Sequence, residues 1–157
     1  MKKIAMVTMI VLLGSCLTAY AAKGVATKGE CVAKTHEAAH MIKKNGLEVA
    51  ITEIGNKNGG FVWKDSYVFL MSLEGKMLAH PLNPALVEKK NLLGIVDGNV
   101  ENPKKIFMEF IKMINASDEG WVEYVWPKPG EEDVSVKETY IYKVPGVDVF
   151  LGAGFYK

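Results

Sequence analysis

The chain has 157 residues, 19 basic against 18 acidic side chains, and no arginine. That length suits one domain, and the near-neutral balance points away from nucleic acid and anionic membrane surfaces. Without arginine, an anion has to be met by lysine, histidine, aromatic hydroxyls, indole N–H or backbone amides rather than by a guanidinium fork.

Residues 1–21 read as a secretory signal. Lys2 and Lys3 open it, Ile4 to Leu13 is an uncharged apolar run short of a membrane span, and Ala19-Tyr20-Ala21 is an A-x-A cleavage site. The expected mature domain is 22–157, in the periplasm or secreted. A second reading takes Leu13-Gly14-Ser15-Cys16 as a lipobox, with Cys16 lipid-anchored. After cleavage at Ala21 only Cys31 remains, so no internal disulfide is expected. Cys31 is either a reactive or intermolecular thiol or, the preferred reading, a small residue packed on a helix.

Thr27 to Asn45 has a helical pattern. Thr27 and Glu30 fit a capping box, Val32, Thr35, Ala38, Ala39 and Ile42 share a face, and Gly46 stops the helix. Inside it, His36-Glu37-Ala38-Ala39-His40 matches H-E-x-x-H, the zinc-binding helix of zincin hydrolases. Such a centre needs a third ligand, and the only other histidine is His80. The plainer reading is an exposed, alanine-rich face. Leu47 to Ile54 is a short second helix, and 56–60 (NKNGG) is a turn.

Phe61-Val62-Trp63 leads into a hairpin. Tyr67, Phe69 and Met71 alternate with Val68, Leu70 and Ser72, which is strand spacing with two mostly apolar faces. Glu74-Gly75 turns the chain, Lys76 to Ala79 returns, and His80-Pro81 ends the ladder. Leu82 to Gly94 is a connection containing Pro84, with Leu92, Leu93 and Ile95 pinning it to the core. Asp97-Gly98-Asn99 reads as a turn. Asp97, Asn99 and Glu101 resemble the start of a calcium loop, but the glycine is misplaced and the closing glutamate is missing.

Asn102-Pro103 is expected to start a helix with Ile106, Phe107, Phe110, Ile111 and Ile114 as its buried stripe. Three strands follow: Trp121 to Trp126, with Val122, Tyr124 and Trp126 on one face; Val136 to Val144, with Lys137, Thr139 and Ile141 opposite Tyr140 and Tyr142; and Val147 to Tyr156. Loop 127–133 joins the first two, and Pro145-Gly146 joins the last two. The order predicts an α+β domain on one antiparallel sheet of about five strands, with a long N-terminal helix and a helical connection.

These pieces together resemble a single Cache domain, the extracytoplasmic PAS-like sensor module of bacterial chemoreceptors and histidine kinases. The resemblance runs through Phe61-Val62, Tyr67-Val68-Phe69, 74–81 (EGKMLAHP), Asn83-Pro84, Leu86-Val87, Asn91-Leu92 and Asp97-Gly98. It continues in 120–127 (GWVEYVWP), 137–140 (KETY) and 152–156 (GAGFY). It covers nearly the whole mature chain and fits best the second class of small single-domain Cache modules. In receptors a membrane helix and a signalling module follow. Here the sequence stops at Lys157, so the expectation is a free-standing secreted sensor domain, acting alone or docked to a membrane receptor, kinase or transporter.

The resemblance implies a ligand between the sheet and the connection before the central helix, with small organic acids as the ligand class. Acetate, propionate, lactate and pyruvate fit equally. The candidate binding residues are Tyr67, His80, Tyr124, Trp126 and Lys137; Phe69 and Met71 would shape the pocket, the preferred alternative being plain core. Lys137 would be the counter-charge of a carboxylate; the alternative is a solvent-facing lysine on an edge strand. His80 would donate to the same group; the alternative is a histidine that caps the chain after the hairpin. Trp126 would offer its indole N–H and a wall; the alternative is a plain core aromatic. No cofactor, metal or catalytic residue is expected. The competing functions are a ligand-free interaction module and, from HEAAH, a zinc hydrolase. The long first helix is a candidate surface for pairing with a second copy.

Overall fold

A computed structural model describes residues 24–157. The signal segment, its cleavage site and Cys16 lie outside the described residues. The elements are α1 (Lys28–Asn45), α2 (Leu47–Gly55), β1 (Val62–Trp63), β2 (Ser66–Ser72), β3 (Met77–Ala79), α3 (Pro84–Glu88), α4 (Ile106–Ala116), β4 (Glu119–Pro127), β5 (Val134–Lys143) and β6 (Val149–Tyr156). The sheet has six strands rather than about five, because the two-residue β1 also pairs with β2. The order is β1-β2-β6-β5-β4, with β3 also on β2, and every pairing is antiparallel. No helix among the described residues is long and apolar enough to cross a membrane.

Strand alternation builds two cores, one on each face of this sheet. Val68, Leu70, Leu151 and Ala153 face α1 and α2, where Ala38, Ala39, Ile42, Ala50 and Ile54 pack. Tyr67, Phe69, Met71, Ile141 and Phe150 face α3, α4 and the connection between them, where Leu86, Leu92, Phe107, Phe110 and Ile114 pack. The capping box at Thr27 and Glu30 opens α1, and Gly46, at φ 88°, closes it. Val32 is only half-buried; Cys31 takes the core position instead. Burial pushes the Cys31 thiol up to about 11, so it is a protonated packing group and a poor nucleophile.

The HEAAH histidines do not meet a third metal-binding side chain among the described residues. His36 and His40 are exposed on α1. His36 lies edge-on to Tyr142, with ring centroids 4.5 Å apart. His80 sits among the aromatics of the opposite face of the sheet. Among the described residues no three metal-binding side chains converge.

The central helix starts later than Asn102-Pro103 suggested. Segment 97–105 is tied down in another way. Asp97 is buried, and its carboxylate accepts from the amides of Lys104 (2.8 Å), Val125 (3.1 Å) and Asn99 (3.4 Å). The Asp97 amide in turn donates to the Lys104 carbonyl at 2.8 Å. That pairing holds Lys104 outside the helix, and helical geometry begins at Ile106. One carboxylate thus fastens the connection to β4, and it fixes where α4 lies over the sheet. Ile106, Phe107, Phe110 and Ile114 are then buried as the helical period requires, with Ile111 half-buried at the margin.

Candidate functional site

Between α3, α4 and the sheet lies a narrow cavity of about 10 Å³, room for roughly one water. Tyr67, Phe69 and Met77 line it from the hairpin, and Tyr124 and Trp126 from β4. Leu86, Ile106, Phe107 and Phe110 close the helical side, and His80 completes the wall. A larger cleft of about 430 Å³ lies beside it, under loop 127–133. Tyr67, His80 and Trp126 border both spaces, so these three side chains separate the inner cavity from the outer cleft.

Lys137 is not on an edge. It lies on β5, between β4 and β6, with 1% of its surface exposed. Its Nζ donates to the Tyr67 hydroxyl at 3.0 Å. The ammonium also sits 4.2 Å from the Tyr67 ring centre and 4.9 Å from that of Tyr156. Among the described residues no carboxylate reaches it within ion-pair distance. A buried, unpaired cation is costly, and two aromatic faces and one hydroxyl offset only part of that cost. Room for its stem comes from Gly154 on β6: a Cβ there would lie 2.7 Å from Lys137 Cε and 2.3 Å from Thr139 Oγ1.

His80 takes the capping role of its two sequence readings and leaves its other nitrogen free of that task. Nδ1 accepts from the amides of Asn83 (3.0 Å) and Leu82 (3.3 Å), which caps the chain after the hairpin. In a neutral ring that puts the proton on Nε2, which keeps a hydrogen to donate. The ring packs on Tyr67 at 4.6 Å and stacks along Phe69 at 6.4 Å. Burial first, and the positive charge of Lys137 second, pull its pKa from 6.5 down to about 3.

This depression has a consequence for stability. Between pH 6.5 and 3 the unfolded chain binds a proton that folded His80 refuses. The His80 contribution is therefore whole above about pH 6.5 and is lost as pH falls toward 3. Between pH 7 and 5 the expected loss is about 2 kcal/mol. His80→Asn, which keeps an acceptor near the Nδ1 position, should flatten that slope. Urea melts of both proteins at pH 5, 6 and 7 compare them, and equal slopes would contradict the assignment.

Tyr124 and Trp126 take their predicted face but differ in role. The Tyr124 hydroxyl is buried and bonded to Thr139 Oγ1 at 2.9 Å, and burial raises its pKa. Trp126 is half-buried and packs edge-on to Phe107 and Tyr124, with centroids 6.4 and 6.1 Å away. Phe69 and Met71 are both core, and Phe69 also lines the cavity. Tyr156 and Gly154 were not singled out from the sequence. The spacing Gly152-Ala153-Gly154 inside a strand is the signal that could have found them, since strand glycines mark close approach.

The chain is similar to bacterial chemoreceptor sensor regions. It is 33% identical over 92 residues to the methyl-accepting chemotaxis protein McpP of Pseudomonas putida KT2440. That match covers 59% of this chain but only 16% of the relative's length. A methyl-accepting chemotaxis protein of Vibrio parahaemolyticus superposes with a TM-score of 0.66 at 26% identity, covering 82% of this chain and 87% of that one. A Cache chemosensory domain whose structure concerns carboxylic acid recognition superposes with a TM-score of 0.63 at 23% identity, covering 79% and 84%. The periplasmic sensor domain of a chemotaxis protein gives 0.62 at 23%, covering 80% and 86%. The family model described as Cache domain matches residues 32–157, which with the α+β fold and the two-sided sheet makes this protein a member of the Cache domain family.

Proposed function

We propose that the domain is an extracytoplasmic sensor module that binds a small monocarboxylate at the seam between the inner cavity and the outer cleft. The observation that carries this reading is Lys137, a buried ammonium with no carboxylate partner among the described residues. Lys137 itself lines neither space, but it is bonded to Tyr67, which lines both, and a ligand carboxylate beside that hydroxyl supplies the missing charge. Tyr67, whose hydroxyl accepts from Lys137, keeps its own proton to donate to that carboxylate. His80 donates from Nε2, and because its ring stays neutral above pH 5 it does so without charge repulsion from Lys137. Trp126 covers the bound acid, and Tyr124 holds Thr139 and the floor in place.

Size and polarity narrow the ligand. Even acetate exceeds one water, so the acid occupies the seam and pushes on the wall shared by Tyr67, His80 and Trp126. Its tail meets Met77, Leu86, Ile106, Phe107 and Phe110, which have no polar atom to satisfy a second charge. None of the side chains lining the inner cavity carries a carboxylate, so an α-ammonium group turned inward would be buried unpaired, Glu131 lying on the outer cleft. Amino acids and dicarboxylates are therefore disfavoured. The likeness to a chemotaxis receptor and to a carboxylic-acid-recognising Cache domain supports the same class.

A thermal-shift panel of acetate, propionate, lactate, pyruvate, succinate and alanine tests this. A ligand at 100 times its Kd adds about 2.7 kcal/mol, a rise of several degrees in Tm. A rise with monocarboxylates alone is expected. No rise with any acid, in protein free of copurified ligand, would favour the interaction module.

A further inference from the structure

We infer that Tyr156 is a positioning residue that couples the Lys137 charge to loop 127–133, and that this loop gates entry to the binding seam. The coupling rests on the carboxylate reading above; the loop attachment does not. Tyr156 is the last residue of β6, and its two ends do different things. Its ring faces the Lys137 ammonium at 4.9 Å, inside the sheet. Its hydroxyl donates to the Pro127 carbonyl at 2.7 Å, where β4 ends and the loop begins. The Lys128 ammonium also approaches that ring, 5.9 Å from its centre.

The loop is placed to matter. Pro127, Lys128, Pro129, Gly130 and Glu131 form one bank of the outer cleft, and Trp126, just before them, is part of the wall shared with the inner cavity. Tyr67 and His80 already border the outer cleft, but with an inner cavity the size of one water an acid's tail enters it only if that shared wall gives way. The loop's internal restraint is slight, a turn in which the Glu131 amide donates to the Lys128 carbonyl at 2.9 Å, with Gly130 at φ 87°. The loop leaves and rejoins the sheet at the Pro127–Val134 pair, and among the described residues the Tyr156 hydroxyl is the side-chain bond that holds its first residue to β6. Its burial favours the protonated, donating form. A carboxylate on Lys137 draws the ammonium away from the Tyr156 ring, so occupancy of the site bears on the residue that holds the loop.

Tyr156→Phe keeps the ring and removes the tie. Two measurements on the full chain separate the loop from the ligand. The first is amide hydrogen exchange without ligand. Glu131 is expected to exchange about tenfold faster in the variant while the β5–β6 ladder amides are unchanged, since one net hydrogen bond of restraint is lost. The second is stopped-flow tryptophan fluorescence with propionate. Its association and dissociation rates should rise together by about tenfold, leaving Kd within about threefold. Unchanged exchange at Glu131 overturns the tie. Faster exchange with unchanged propionate rates overturns the gate. Faster exchange in a protein whose wild type binds no propionate overturns the coupling and the carboxylate reading, and leaves the tie standing.

Discussion

Lys137→Met is expected to abolish carboxylate binding, by 100-fold or more on the scale of about 3 kcal/mol for removing one partner of a buried charge pair. The same change is expected to leave the fold as stable or make it more so. Methionine fills the volume of the lysine stem beside Gly154 and carries no charge. Replacing a buried ion by an apolar group of similar size is often neutral or stabilising by about 1–4 kcal/mol. The Tyr67 hydroxyl loses its donor but keeps its own proton. A structural lysine would behave in the opposite way, with stability falling and affinity changing only in proportion. Denaturant melts and propionate titrations of the two proteins tell these apart. A variant that binds like the wild type, or that fails to fold, would remove Lys137 from the site.

The largest expected loss of stability comes from Gly152→Ala. Gly152 sits on β6 opposite Phe69, and a Cβ there would lie 2.1 Å from Phe69 Cζ and 2.6 Å from Cε1. The ring has nowhere to go, since it is 4% exposed and stacked 5.7 Å from Phe110. The cost is expected at the upper end for overpacking, about 3 kcal/mol, or a fall in Tm of roughly 10 °C. Phe69→Leu in the same background should restore part of it by freeing the space that the methyl needs. A Gly152→Ala protein that melts with the wild type would mean that β6 and β2 do not meet in this register.

Much of this architecture could be read from local pattern. The alternation in 67–71 and 136–142 separates the two faces, and it puts Tyr67, Lys137 and Tyr124 together. The His-Pro step at 80–81 marks the end of the hairpin and the capping role of the imidazole. What escaped depends on long-range partners. Whether Lys137 is buried turns on β5 lying between β4 and β6, which nothing within ten residues of it reveals. The delayed start of α4 comes from Asp97, which pairs with Lys104 and is itself held by Val125, 28 residues away. Asn-Pro is a sound helix opening in isolation, and here the tertiary tie overrides it. The role of Tyr156 is not legible in the sequence because its partners, Lys137 and Pro127, belong to two other strands. The H-E-x-x-H match shows the converse. Spacing alone puts two histidines on one helical face, and only the fold reveals that His80 lies across the sheet.

The most direct test of the carboxylate site is a calorimetric titration of the purified wild-type domain with propionate and with propionamide, its neutral isostere. If Lys137 is the counter-charge, propionate binds one to one and propionamide at least 100-fold more weakly, in line with about 3 kcal/mol for a buried charge contact. Equal binding of the two would mean that shape alone selects the ligand, and would contradict the role given to the buried ammonium.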